Sequence, residues 1–137
     1  MRRAGAALTV ALAALLAAPV ADAATGRIRR PKVPPPPAPA LPTGLAVDEF
    51  EFYLRPSQLV VAAGVVRIRV YNRGMDDHNL VLVTKAGEEH RIDLKAGGNG
   101  TLTPRLTPGR YELYCDLFAG TAESHYDRGM RVEITVR

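Results

Sequence analysis

The chain has 137 residues, 47% of them hydrophobic and 23% charged, which suits one packed domain and excludes a large multi-domain enzyme. Its single cysteine excludes an internal disulfide, and 18 basic against 14 acidic residues give a net charge of +4. A positive charge favours nucleic acid or another anionic partner only where the basic residues share one folded surface, so their distribution decides what the charge means.

Residues 1–23 have the pattern of an export signal peptide. Two arginines precede an uncharged run over residues 4–20, and Ala21-Asp22-Ala23 fits the small-x-small pattern before a cleavage site. The run is shorter than the ~20 apolar residues of a bilayer span, so we expect no stable span in the mature chain. An uncleaved anchor is the alternative. We expect export to the periplasm, the cell surface or the extracellular medium.

Residues 24–43 are predicted to form a basic, proline-rich, disordered linker. Seven of the eleven prolines fall within residues 31–42, and proline removes amide donors and favours an extended chain. Residues 27–32 add four basic residues and no acidic one, whereas from Gly44 onward 12 basic residues stand against 13 acidic ones. The positive charge therefore precedes the domain, and we expect no nucleic-acid partner.

Residues 44–137 are predicted to form an all-β domain, because short runs of β-branched and aromatic residues alternate with turn residues. Val66, Ile68 and Val70 share one face of a strand whose other face carries Arg67 and Arg69. Residues 78–84 are apolar on both faces, as is typical of a central strand. About eight strands in this length predict an antiparallel Greek-key β-sandwich, with strands over 47–54, 58–63, 65–71, 78–84, 91–94, 100–104, 110–115 and 131–137.

Cys115 is the anomaly of this sequence, since an unpaired thiol on an exported chain is open to oxidation. His125 and Met130 follow it within one connection between strands, and His78 opens a distant strand. A thiolate, two imidazoles and a thioether are the ligands of a trigonal copper site with a weak axial methionine. The set predicts one copper ion, alternating between Cu(I) and Cu(II). The alternative is that Cys115 is a small buried hydrophobic residue.

Two segments resemble the cupredoxin family, in particular its plastocyanin- and azurin-like blue copper domains. They are Asn72-Arg-Gly-Met-Asp-Asp-His78-Asn-Leu-Val and Leu106-Thr-Pro-Gly-Arg-Tyr111-Glu-Leu-Tyr-Cys115. The resemblance implies that His78, Cys115 and His125 are strong copper ligands and Met130 is the axial one. It also implies that Asn79 forms a hydrogen bond across to the loop near Cys115.

The spacing between Cys115 and His125 departs from the plastocyanin pattern. Nine residues separate them, which more closely resembles the copper domain of nitrite reductases. We expect the additional residues, 118–122 among them, to form an apolar lip over the metal or a docking face. Of the other notable residues, we expect Tyr111 to form a structural hydrogen bond at a sandwich corner and His90 to be a solvated loop residue.

These features predict an exported type 1 copper protein, a monomer that carries single electrons between redox protein partners. Copper storage or delivery by the same residues is the alternative, and a sandwich without metal is a further one. We expect no enzyme activity, because nitrite reductases and multicopper oxidases need further copper centres and link them through a histidine beside the ligand cysteine. Here Tyr114 and Asp116 flank Cys115, and the chain has three histidines.

Overall fold

Strands with one apolar face account for most of the regular structure. The structure is a computed structural model that describes Pro35 and residues 37–137. The predicted signal peptide, 1–23, lies outside these residues, as does most of the predicted linker, 24–43, whose residues 37–43 are exposed and precede the first strand. Within the described part, no helix is long and apolar enough to cross a membrane.

The described residues form eleven strands, three of which have only two residues. In chain order they are β1 (Gly44–Phe50), β2 (Tyr53–Pro56), β3 (Val60–Val61), β4 (Gly64–Val65), β5 (Arg67–Asn72), β6 (His78–Val83), β7 (Glu89–Leu94), β8 (Asn99–Leu102), β9 (Arg105–Leu106), β10 (Gly109–Tyr114) and β11 (Arg131–Val136). One sheet has the order β2-β1-β5-β8 and a second has the order β3-β11-β10-β6-β7, while β4 pairs with β9. The eight longer strands match the predicted number.

The predicted all-β sandwich is confirmed, with two differences in pairing. β1 pairs with β5, and β11 with β3, in parallel, so the sheets are mixed rather than purely antiparallel. Parallel pairing requires long connections, and turn residues in a single sequence do not reveal which distant strands will meet. His90, predicted to lie in a loop, lies in β7 and is only partly exposed.

The predicted strand over 47–54 is wrong as one strand, because the chain reverses at residues 51–52. β1 and β2 form an antiparallel hairpin in which Phe50 lies opposite Tyr53. Their rings stack with centroids 4.8 Å apart, and the Arg55 guanidinium lies 5.0 Å from the centre of the Phe50 ring. These contacts stabilise the reversal, which leaves Glu51 at the tip of the hairpin.

The predicted faces of the clearest strand are confirmed. Val66, Ile68 and Val70 are fully buried, whereas Arg67 and Arg69 are exposed. β6 lies inside its sheet and buries five of its six residues, as predicted for a central strand. The core comprises Leu45, Val47, Leu54, Val61, Val66, Ile68, Val70, Leu80, Leu82, Leu94, Leu102, Leu106, Tyr111, Leu113, Cys115, Met130, Ile134 and Val136.

Tyr111 forms the predicted corner hydrogen bond, and its removal has a defined cost. The Tyr111 hydroxyl donates to the Thr107 carbonyl at 2.8 Å. We expect Tyr111→Phe to lower the free energy of unfolding of the metal-free protein by about 1 kcal/mol, because the buried ring stays and one hydrogen bond is lost. Urea denaturation measures this, with Tyr53→Phe, on an exposed ring, as the matched control. Equal effects of the two changes would contradict the role of Tyr111.

Candidate metal centre

The ends of two paired strands and one loop bring three predicted ligands together. His78 is the first residue of β6, and Cys115 follows the last residue of β10. These strands are antiparallel neighbours, with Tyr114 opposite Val81. The start of β6 and the end of β10 therefore lie at the same end of the sheet. His125 comes from residues 116–130, here called the ligand loop, which connects β10 to β11.

The three side chains form a compact group. The Sγ of Cys115 lies 3.4 Å from the Nδ1 of His125, and that Nδ1 lies 3.3 Å from the Nδ1 of His78. The three potential ligand atoms all lie within 4.8 Å of one another. Exposure of the three residues is 1%, 0% and 4% in chain order. His78, Cys115 and His125 are therefore a group able to hold a single metal ion.

Met130, the fourth predicted ligand, is fully buried at the end of the ligand loop. Its backbone N–H donates to the His125 carbonyl at 3.0 Å, and its carbonyl accepts from the Cys115 N–H at 2.9 Å. These two bonds hold the backbone of Met130 against both residues. Its position as axial ligand stays a prediction.

Asn79 ties β6 to the ligand loop, as the family resemblance implied. Its side-chain oxygen accepts from the Asp116 N–H at 3.0 Å, and its Nδ2 donates to Asp116 Oδ1 at 2.8 Å. The Asn79 backbone N–H points at the Sγ of Cys115, 3.5 Å away. Two hydrogen bonds from Arg91, each 2.8 Å, hold the pKa of Asp116 below its usual range. Asn79 therefore holds Cys115 in two ways, through the next residue, Asp116, and through the contact with the Cys115 Sγ.

Glu51 is a site residue that sequence reasoning missed. Its Oε1 accepts from the backbone N–H groups of Met75 and Asp76, at 2.6 and 2.9 Å, and lies 3.2 Å from the Nε2 of His78. The hydrogen bond from Asp76 is the main reason that the pKa of Glu51 is lowered. Because an ionised carboxylate only accepts, the His78 Nε2 carries the proton and its Nδ1 is free to bind a metal.

Gly74 explains how the Glu51 carboxylate approaches so closely. A Cβ atom at position 74 would overlap that carboxylate. The sequence contains a signal for a turn at residues 72–74, but nothing in it indicates that a glutamate from another hairpin fills the space. The contact depends on the reversal at residues 51–52, which the sequence did not predict.

Comparison with known proteins places the fold. No protein-family model and no curated protein sequence matches the chain. Three similar solved structures are a chain of a heme-copper terminal oxidase dimer (TM-score 0.51, 19% identity), a reduced amicyanin variant (0.50, 17%) and a multicopper oxidase (0.51, 13%). They cover 69%, 69% and 72% of this chain.

This chain has the cupredoxin fold. It spans 63% of the terminal oxidase chain, 83% of the amicyanin chain and 45% of the multicopper oxidase chain. At these identities the likeness shows the fold alone.

The donor set of this cupredoxin fold suits copper. Burial raises the pKa of the Cys115 thiol, and burial likewise lowers the pKa of His125. His125 is therefore neutral at pH 7 and able to act as a ligand, while the thiol needs a nearby cation before it gives up its proton. Thiolate suits Cu(I) and imidazole suits both oxidation states, so the group can hold a single copper ion.

The long ligand loop folds into successive turns and brings one aromatic ring to the metal centre. Phe118 is 58% exposed, adopts a positive φ of 57° and lies with its ring 5.3 Å from that of His125. Phe52, from the hairpin tip, contacts His125 edge-on at 5.0 Å. Phe118 therefore forms the predicted apolar lip beside His125, and residues 119–122 are exposed like Phe118 itself.

Proposed function

We propose that this chain is an exported type 1 copper protein that carries single electrons between redox proteins. The observation that carries the proposal is the convergence of one thiol and two imidazoles in a buried group, with ligand atoms within 4.8 Å of one another. A bound copper ion supplies one-electron exchange between Cu(I) and Cu(II). The chain's own contribution is to hold the donor atoms at distances that suit both oxidation states.

In this proposal His78, Cys115 and His125 are the strong ligands and Met130 is the axial one. Two features limit their rearrangement. The Glu51 carboxylate orients the His78 ring through Nε2, and Asn79 links the strand of His78 to the residue after Cys115. A ligand set that moves little between oxidation states has a small barrier to electron transfer, which is what an electron carrier requires.

We propose that redox partners dock over His125. An open groove beside this residue is lined by the apolar side chains of Met75, Leu117 and Phe118 and also by Asp76 and Asp77, and Met75 is 89% exposed. The exposed apolar side chains of this rim exclude water when another protein covers them. Because the path from this rim to the His125 ring is short, we propose that electrons enter and leave the metal centre through the rim.

The location and domain organisation belong to the same proposal. Residues 1–23 direct export, residues 24–43 form the linker, and residues 44–137 form the copper-binding domain. We propose that the mature domain acts as a monomer. We also propose that it has no enzyme activity of its own, because three histidines cannot build a second copper centre beside the first.

Copper loading tests the proposed function. We expect the purified protein to bind one Cu(II), to develop intense visible absorption with a type 1 electron paramagnetic resonance spectrum, and to give a reversible one-electron wave in voltammetry. A colourless protein would contradict the proposal. Copper that a modest chelator removes, with no reversible wave, would instead favour storage or delivery.

Removing the Glu51 carboxylate is expected to weaken copper binding by about 10–100-fold, the usual effect of losing an outer hydrogen-bond partner of a ligand histidine. Glu51→Ala leaves His78 without its partner and releases the N–H groups of Met75 and Asp76. Competition with a copper chelator measures the affinity. Glu133→Ala, at an exposed position of β11, is the matched control, and equal affinities of the two variants would show that Glu51 does not orient the ligand.

A further inference from the structure

Arg67 and Arg69 are exposed cations that form no ion pair within the described part of the chain. They share the outer face of β5, because Ile68 between them is fully buried. Gly44 and Ala46 of β1 lie opposite them in the sheet, and such small residues leave the two guanidinium groups uncovered. Like charges on one face of a strand repel each other, and an anion between them relieves that repulsion.

The two arginines line an open groove of about 520 Å³, here called the basic groove, at the start of β1 and β5. Thr43 and Ser57 contribute hydroxyl groups, and none of the described residues that line the groove is acidic. The Ser57 Oγ accepts a hydrogen bond from the Ala46 N–H at 3.0 Å, so its own O–H can donate to another group. Guanidinium and hydroxyl donors together suit a phosphate group.

Exposed apolar side chains surround the basic groove. Val65 is 53% exposed, and it points away from the core because the next residue, Val66, is fully buried. Leu41 and Leu59 are also exposed, and each is next in sequence to a residue that lines the groove. Apolar side chains among unpaired cations are typical of a surface that meets an anionic membrane. A small anion or a soluble polyanion would make no use of them.

The basic groove and the metal centre lie at opposite ends of the domain. β1 begins with Gly44 at the groove and ends with Phe50. The next residue, Glu51, bonds His78 of the metal centre. A strand of seven residues spans roughly 20 Å, so a surface that covers the groove leaves the metal centre free.

Unpaired charges are distributed unevenly between these two ends. Within residues 44–137, the cations without an ion pair at or near the end that carries the groove are Arg67, Arg69, Lys85, Arg105 and Arg137. The two others, Arg128 and Arg131, each lie over an aromatic ring at the metal end. That end also carries the unpaired carboxylates of Asp76, Glu123 and Asp127. An anionic surface therefore attracts the groove end and repels the metal end.

We propose that the domain binds the surface of an anionic phospholipid membrane through the basic groove, with the metal centre directed away from the lipid. Lipid phosphate groups bind Arg67 and Arg69, and the exposed apolar side chains around the groove contact the headgroup region. This orientation leaves the rim over His125 open to a redox partner. The membrane contact goes beyond the proposed electron transfer and does not depend on copper.

Sedimentation of the metal-free, exported protein with lipid vesicles tests the proposal. We expect binding to vesicles that contain phosphatidylglycerol, little binding to pure phosphatidylcholine vesicles, and release at high salt, which screens exposed charges. Arg67→Gln combined with Arg69→Gln should weaken binding about 25-fold, because each arginine near an anionic surface gives about a fivefold gain. The matched control combines Lys95→Gln with Arg131→Gln, removes two exposed cations at the metal end, and should bind like the wild type.

The basic residues within 27–32 are present in every one of these variants, so a difference in affinity comes from the domain. Equal affinities of the two double variants, or no preference for anionic over neutral vesicles, overturn the proposal. Retention on heparin without binding to vesicles also overturns it and assigns the groove to a soluble polyanion. None of these outcomes bears on the proposed copper function, which copper loading tests separately.

Discussion

Replacing Cys115 with serine is expected to abolish the intense visible absorption of the copper-loaded protein. The absorption requires a thiolate bound to Cu(II), and a serine hydroxyl is a hard, weakly acidic oxygen that replaces neither its charge nor its softness. Copper affinity should fall by more than the roughly 10–100-fold that loss of an outer partner costs. Serine is close to cysteine in size, so the fold should survive a loss of about 1–3 kcal/mol from the buried hydroxyl.

The matched control for Cys115→Ser is His90→Gln. His90 is the one histidine of the chain outside the metal-binding group, and it lies in β7. Visible and electron paramagnetic resonance spectra of the loaded variants should show the type 1 signal in His90→Gln and not in Cys115→Ser. Strong absorption in Cys115→Ser, or its loss in His90→Gln, would contradict the assignment of ligands.

The metal-free protein is expected to lose stability as the pH rises from 5 to 8, because of Glu49. Burial raises the pKa of this carboxyl group from 4.5 to about 7 in the folded state. A raised pKa means that its contribution to stability is fully present below pH 4.5 and is lost as the pH rises through 7. The loss amounts to roughly 2–3 kcal/mol between pH 5 and pH 8.

Urea denaturation of the metal-free wild type and of Glu49→Gln, at several pH values, isolates this contribution. His125 has a pKa lowered from its ordinary value of 6.5, so its contribution to stability is present above pH 6.5 and is lost as the pH falls through the lowered pKa. This opposes the trend over part of the range. The difference between the two proteins removes the effect of His125. We expect wild type minus variant to decrease steadily from pH 5 to pH 8, and a constant difference would show that Glu49 is not protonated in the folded protein.

Much of the fold and most of the proposed ligand set follow from local patterns. The alternation of Val66, Ile68 and Val70 with Arg67 and Arg69 depends only on side chains pointing to opposite faces of a strand. The convergence of His78, Cys115 and His125 was predicted from residue types, because few arrangements of a lone cysteine with two histidines and a methionine have another use. Asn79 entered through the family resemblance, and its bond to Asp116 is present.

The parts that sequence reasoning missed depend on contacts between distant segments. The reversal at residues 51–52 was not predicted, because the run 47–54 has strand composition throughout. Because this reversal was missed, the role of Glu51 was missed as well. That role depends on the hairpin tip reaching residues 75–78. Glu49 was equally hidden, since a single glutamate among apolar residues indicates nothing until its burial and lack of partners are known.

Some properties of this protein follow from the sequence alone, among them its charge distribution and its lone cysteine, whereas others depend on the tertiary structure. The amino-acid sequence alone determined that the positive charge lies ahead of the domain, that no internal disulfide is possible, and which residue types suit copper. Tertiary structure alone decided which atoms meet, which ring nitrogen of His78 is free, and which carboxyl group is buried without a partner. The physical reason is that residue chemistry is a local property, whereas distance, burial and hydrogen-bond partners arise only when separate strands pack together.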